Sequence, residues 1–206
     1  MNKAKLFVIS APSGAGKTSL VKALMERMPE LRVAVSHTTR KKRPDEVDGV
    51  NYHFVDEKSF HEMKKSHRFI ETARIFGNLY GTSQAEVDRI LASGHNIVLE
   101  IDWQGAAQVR SHQDDVVSVF ILPPSMDTLR RRLVDRGQDD METISARLNA
   151  AIDEIAHYRD FDYLVVNDDF GAALDALERI IRDEPADLST GRQARVQAPL
   201  LADLLS

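Results

Sequence analysis

One octapeptide near the N-terminus constrains this chain more than any other feature: Ala11-Pro12-Ser13-Gly14-Ala15-Gly16-Lys17-Thr18. A short apolar run, Leu6-Phe7-Val8-Ile9, precedes it, and Ser19-Leu20-Val21-Lys22-Ala23-Leu24-Met25 reads as a helix after it. Strand, glycine-rich turn and helix form the context that a phosphate-binding loop requires. Glycines let the backbone curl so that successive N–H groups point at an anion. The new helix adds its positive dipole end to the same spot. Lys17 is placed to reach the outer phosphates of a nucleoside triphosphate, and the Thr18 hydroxyl to ligate Mg²⁺. The usual pattern is G-x-x-x-x-G-K-[ST]. Ala11 stands at its first glycine, which is tolerable if that residue ends the strand at negative φ. The competing reading is a glycine-rich turn with a chance lysine, and it leaves the flanking strand and helix unexplained.

The rest of the chain supplies a fold for this loop. Its 206 residues suit one large domain or a core domain with insertions. With 43% hydrophobic and 29% charged residues it should bury a sizeable core. A net charge of -5 argues against general affinity for nucleic acid or anionic membrane, so an anionic substrate needs locally placed cations. The lack of cysteine excludes disulfides and thiolate metal sites. The first apolar run is too short for a signal peptide, and no segment approaches a membrane span. The expected location is therefore cytoplasmic.

Lys5–Ser10, Leu31–Val35, Asn96–Ile101, Val116–Leu122 and Tyr163–Val166 read as strands. Helices are expected at Lys17–Met28, from Ser125 as an N-cap, from the polar break Gly137-Gln138-Asp139-Asp140 to about Tyr158, and over Leu174–Ile181. This alternation predicts an α/β fold: a parallel sheet of the P-loop NTPase type flanked by helices, with the phosphate site at the sheet's carboxyl edge. Residues 36–94 differ in texture and predict an inserted, mixed α+β substrate subdomain. Asn51–Val55 and Phe69–Phe76 alternate as strands, and Asp56–Ser66 looks helical. Ser83 and Glu86 predict a capping box, and Gly94 a helix stop. In the tail, Leu200, Leu201, Leu204 and Leu205 fit either a short amphipathic helix or a frayed terminus.

Two clusters in the insert carry chemistry. Ser36-His37-Thr38-Thr39-Arg40-Lys41-Lys42-Arg43-Pro44, followed by Glu46, Gly49 and Tyr52, fits a solvated face or a nucleic-acid patch when taken alone. Its interspersed hydroxyls favour a phosphate pocket, because guanidiniums bind phosphate bidentately and hydroxyls add donors. The second cluster is Phe69-Ile70-Glu71 with Gly77-Asn78-Leu79-Tyr80-Gly81-Thr82-Ser83. Glu71 is either an ordinary exposed carboxylate or a base reader. Guanine presents N1–H and its 2-amino group side by side, and one carboxylate accepts both. Its O6 takes a hydroxyl donor such as Ser36 or Thr82. Adenine would turn a lone pair toward that carboxylate, and a buried group left unpaired rejects an analogue strongly.

These motifs, together with Glu100-Ile101-Asp102-Trp103-Gln104-Gly105, Phe120-Ile121-Leu122-Pro123-Pro124-Ser125 and Tyr163-Leu164-Val165-Val166-Asn167-Asp168, resemble the bacterial guanylate kinase family. The likeness runs from about Lys5 to Asp183. It implies phosphoryl transfer from ATP to GMP, with Mg²⁺ brought by ATP and ligated by Thr18. It implies a family domain at 4–184, with core 4–35 and 95–184, GMP-binding insert 36–94 and a mobile lid at about 126–150, leaving 185–206 as a tail. By matching position, Lys17, Arg43, Arg136 and Arg147 become the catalytic cations. Ala11, Pro12, Ser13, Gly14, Ala15, Gly16, Lys17, Thr18, Ser19, Arg132 and Asn167 become ATP contacts. Ser36, Arg40, Arg43, Tyr52, Glu71, Tyr80, Thr82, Glu100 and Asp102 become GMP contacts. Asp45, Leu79 and Trp103 depart from the family pattern without removing a reacting group.

Apart from the resemblance, Arg136 and Arg147 read as exposed helix charges paired with Asp139, Asp140 or Glu142. His53, His61 and His67 fit no standard metal-ligand spacing. Two rival functions use related architecture. A ribose bisphosphate phosphokinase would not need Ser36, Glu71 and Thr82 as a guanine reader. A non-catalytic guanylate-kinase-like binding module would usually lack a working phosphate loop. The expected partners are ATP and GMP, with no nucleic acid or membrane, and a homo-oligomer is compatible with the sequence.

Overall fold

The computed structural model describes residues 4–135, 137, 140–185 and 187–206. In chain order its elements are β1 (Leu6–Ser10), α1 (Lys17–Arg27), β2 (Leu31–Val33), β3 (His37–Thr38), β4 (His53–Phe54), α2 (Glu57–Lys65), β5 (Phe69–Ile75), β6 (Asn78–Ser83), α3 (Gln84–Ala92) and β7 (Asn96–Glu100). There follow α4 (Trp103–His112), β8 (Val116–Leu122), α5 (Met126–Asp135), α6 (Met141–Ala156), a 3₁₀ turn at His157–Asp160, β9 (Tyr163–Val166), α7 (Phe170–Ile181), α8 (Thr190–Val196) and α9 (Ala198–Leu204). Two compact units result. One holds the chain up to Val8 and residues 30–116; the other holds residues 9–29 and 117–206. The break falls within β1, so that strand belongs to both.

In the first unit the strand order is β2-β7-β1, with β2 parallel to β7. Every residue of β1 is buried, as are Ile97, Val98 and Leu99 of β7, as expected of parallel strands covered on both faces. The same unit carries a second sheet, ordered β4-β3-β6-β5. In it β3 runs parallel to β4 and antiparallel to β6, and β5 and β6 form a hairpin. The hairpin turns on Phe76 and Gly77, at φ 47° and 80°, the two positive angles that a tight hairpin turn demands. A bulge lies between Phe69 and Glu71, and Glu71 pairs with Thr82. Phe60 of α2 is buried and stacks on Phe69 at 4.7 Å.

The second unit orders its strands β1-β8-β9, with β8 and β9 parallel. Ala15 of the glycine-rich loop packs into one cluster with Leu129 and Leu133 of α5 and Ile144, Leu148 and Ala151 of α6. Aspartate caps begin α6 and α7: Asp140 accepts from the Thr143 N–H and Asp169 from the Ala172 N–H, both at 2.7 Å.

The sequence-based expectations hold for the long apolar runs and fail in places with physical reasons. The strand expected over Leu31–Val35 stops at Val33, and that over Asn51–Val55 shortens to His53–Phe54. The capping box is not formed. Ser83 is still in β6, opposite Phe69, and its side chain makes no capping bond. Glu86 instead accepts from the Val35 N–H at 3.3 Å. α7 begins at Phe170, earlier than Leu174, because Asp169 caps it. The tail is not frayed. The Leu164 N–H donates to the Leu188 carbonyl at 3.1 Å and the Thr190 N–H to the Asp162 carbonyl at 2.9 Å. Leu201 and Leu204 of α9 are buried. Among the described residues, no helix is long and apolar enough to cross a membrane.

Candidate active site

Each unit carries one half-site. In the second unit the glycine-rich loop has the curl that its sequence demands. Gly14 and Gly16 stand at φ 90° and 95°, and the Ala15 N–H donates to the Pro12 carbonyl at 3.0 Å. The described non-glycine residues at positive φ are His67, Phe76 and Asp183, so Ala11 occupies ordinary backbone space. Lys17 opens α1, with Thr18 and Ser19 exposed beside it.

Three side chains fasten this loop. The Asn167 Nδ2 donates to the Ala15 carbonyl at 2.7 Å, and Arg132 donates to the same carbonyl at 3.3 Å. Arg132 also donates to the Asn167 carbonyl at 3.3 Å. Arg147 of α6 donates to Ser13 Oγ at 3.0 Å and is half-buried, unlike the exposed charge paired with Asp139, Asp140 or Glu142 that the sequence alone suggests. The Asn167 Oδ1 is buried without a partner among the described residues. An orphaned buried acceptor costs free energy until something donates to it. Arg136, the other expected cation of this region, lies outside the described residues.

In the first unit a chain of hydroxyls ends on a buried carboxylate. Thr82 donates to Glu71 Oε1 at 2.7 Å, and Ser36 Oγ lies 2.9 Å from Thr82 Oγ1. A hydroxyl has one proton. Thr82 gives its proton to Glu71, so Ser36 is the donor in the second bond. Glu71 is only 3% exposed, which rules out the ordinary surface carboxylate.

The basic run forms a second cluster around a residue that the sequence reading passed over as a ligand. Glu46 receives Arg40 Nη2 at 2.6 Å through Oε1 and the Arg43 N–H at 2.8 Å through Oε2. The Arg43 guanidinium is more loosely held, 3.8 Å from the same Oε1. The acidic pair Asp45-Glu46 directly after so basic a run is the sequence signal for it. Burial alone would raise the Glu46 pKa, but its bonds from Arg40 and Arg43 outweigh that and hold it below the usual value. Burial likewise opposes the charge on Arg40, and its bonds with Glu46 and Tyr80 overcome it. Arg40 also stands 5.5 Å from the Tyr52 ring centre, and Tyr52 meets Tyr80 edge-on at 5.9 Å. Burial, with Tyr80 and Glu100 nearby, pushes the Tyr52 phenol up to about 12, so it remains a hydrogen-bond donor at neutral pH. Asp102 is the N-cap of α4, accepting from the Gly105 N–H at 2.8 Å.

His37 packs on His53 with ring centres 4.7 Å apart and tilted by 36°, and meets Phe69 edge-on at 5.5 Å. Burial first, and then the His53 charge, lower its pKa from 6.5, with Asp48 opposing. The unfolded chain therefore binds this proton more readily than the folded one. The penalty is absent above about pH 6.5 and grows as pH falls toward the depressed folded value. The melting temperature is expected to fall more steeply between pH 7.5 and 5.5 in the native chain than in His37→Gln. Parallel slopes in thermal melts would exclude His37 as the source.

Comparison with known proteins gives consistent results. A family model described as guanylate kinase matches residues 3–184. A guanylate kinase of Pseudomonas fluorescens is 54% identical over 200 residues, covering 97% of this chain and 96% of that one. One from Chromohalobacter salexigens is 51% identical over 208 residues, covering 100% and 94%. The crystal structure of guanylate kinase from Anaplasma phagocytophilum superposes with a TM-score of 0.75 at 31% identity, covering 98% of this chain and 97% of that one.

Proposed function

The chain belongs to the guanylate kinase family, and on that premise we propose how its residues divide the transfer of a phosphoryl group from ATP to GMP, giving ADP and GDP. Residues 4–35 and 95–184 act as the core, residues 36–94 bind GMP, and residues 126–150 act as the lid. The observation that carries the assignment is the hydroxyl chain from Ser36 through Thr82 to the buried Glu71 carboxylate. That carboxylate accepts from guanine N1–H and the 2-amino group. Ser36 turns its proton from Thr82 to guanine O6 as the base arrives. Arg40, Arg43, Tyr52 and Tyr80 hold the GMP phosphate, and Glu100 and Asp102 belong to the same half.

On the ATP half, residues 11–18 wrap the phosphates, with the loop's N–H groups (Pro12 has none) and Lys17 as donors and Ser19 at the start of the helix. Asn167 Oδ1, an acceptor lacking a donor, suits the amino group of adenine. The exposed Thr18 hydroxyl is a hard oxygen donor of the kind Mg²⁺ takes. When bound, Mg²⁺ would neutralise charge on the ATP phosphates. Arg43, Arg136 and Arg147 are the cations assigned to the charge of the transferring group, and positioning and electrostatics do most of the work. The GMP phosphate is already an anionic nucleophile, so no general base is needed.

An ADP-release assay with GMP, AMP, CMP and ribose bisphosphate tests the reading, and turnover with GMP alone is expected. In Glu71→Gln, an amide N–H₂ replaces one acceptor. Hydrogen bonds to charged groups are worth roughly 1.5–3 kcal/mol, so kcat/KM for GMP should fall by about 10- to 100-fold. The preference for GMP over AMP should narrow with it. Unchanged discrimination in steady-state kinetics would remove Glu71 as the base reader.

A further inference from the structure

Glu71 sits next to the bulge of β5, at the open edge of its sheet. Such a position is poorly suited to holding a carboxylate still, because register there is irregular and no further strand lies alongside. Helix α4 supplies what a neighbouring strand would. The Thr72 N–H donates to Gln108 Oε1 at 3.0 Å, and Gln108 Nε2 donates to the Thr72 carbonyl at 2.8 Å. One side-chain amide thus closes both main-chain bonds of the residue after Glu71. The same helix seats the carboxylate itself. A Cβ built on Gly105 would lie 2.9 Å from Glu71 Oε2 and 3.2 Å from Ile101 Cβ. The Glu71 Oε1 is already fixed by Thr82. Oε1 is thus held by a hydroxyl, and Oε2 lies in space that a side chain at position 105 would crowd.

We propose that Gln108 is a positioning residue for base specificity, acting through Glu71, with Gly105 the seat that admits Glu71 Oε2. The proposal rests on Glu71 being the guanine reader. A carboxylate accepts two parallel bonds only when both oxygens lie in the plane of the base. A single bond to N1–H tolerates rotation. Loosening β5 at Thr72 therefore costs the contact to the 2-amino group first. The selectivity governed by Gln108 is between GMP and a purine monophosphate that keeps O6 and N1–H but lacks the 2-amino group, namely inosine monophosphate.

The test uses the full chain and steady-state kinetics with GMP, inosine monophosphate and ATP. Gln108→Leu keeps the volume and helix propensity of the side chain and removes both amide bonds. Its KM for GMP should rise about 10-fold, with the KM for ATP unchanged. The ratio of kcat/KM for GMP over inosine monophosphate should fall about 10-fold, the effect of one good hydrogen bond. In Glu71→Gln the same substitution should have little further effect, because residues acting as one unit are not additive. Gly105→Ala, which favours a helix, should narrow the same ratio by displacing Oε2, and it stands in if Gln108→Leu does not fold. A preserved ratio in a folded Gln108→Leu or Gly105→Ala enzyme overturns the proposal. So do independent, multiplying effects of Gln108→Leu and Glu71→Gln. A Glu71→Gln enzyme with an unchanged ratio sinks both the reading of Glu71 and this inference. A changed ratio there with none in Gln108→Leu sinks the inference alone.

Discussion

Gly16→Ala is expected to lower kcat/KM for ATP by about 10²-fold while remaining folded. Gly16 stands at φ 95°, where an L side chain is strained, and its added Cβ would meet Asn167 Nδ2 at 2.4 Å. Strain of that kind costs on the order of 1–3 kcal/mol. Moving the Asn167 amide aside also breaks its bond to the Ala15 carbonyl, a further loss of about 1–3 kcal/mol for a buried group left unpaired. Together these reach the stated factor. The damage falls on the loop proposed to hold the ATP phosphates, so KM for ATP should rise while KM for GMP stays near its native value. Circular dichroism controls for folding. A native KM for ATP would show that the curl of the loop is not what holds the nucleotide.

Arg43→Ala is expected to lower kcat by on the order of 10²-fold or more, the usual cost of removing a preorganised charge from a developing anion. Glu46 grips Arg40 at 2.6 Å but leaves the Arg43 guanidinium at 3.8 Å, fixing its backbone instead. Arg40 is thus built as a static contact, whereas Arg43 has a fixed root and a movable charge. A group that acts mainly in the transition state lowers kcat more than it raises KM. Steady-state kinetics with varied GMP separates the two. Unchanged turnover would strike Arg43 from the catalytic residues.

What the sequence reveals follows from what kind of force shapes each part. β1 is buried along its whole length, and β8 and β9 are short, mostly apolar runs with buried centres; such runs are readable from composition. The glycine-rich loop is readable because its conformation needs glycine. The insert is different. β3 and β4 have two residues each, too few for any period to show, and β6 is interrupted by Gly81. α4 opens Trp103-Gln104-Gly105-Ala106, and its glycine and polar residues hide a helix that Asp102 caps. Glu46 and Gln108 escape for a related reason. Each acts by holding another residue, and that role leaves no spacing in the chain. Ser83 shows the opposite error, a matching local pattern overruled by pairing with a distant strand. Arg136 lies outside the described residues, so its expected place beside Arg147 carries no structural account.

The segment at Leu188–Thr190 that lies along β9 has a consequence for how the protein is made. The match to the family model ends at residue 184, yet β9 gains main-chain partners from beyond that point. A nascent chain emerges from its N-terminus, and domains begin to fold before synthesis is complete. Until residues 188–190 have emerged, the main chain at Asp162 and Leu164 lacks these partners, so this segment closes β9 after the strands before it are already made.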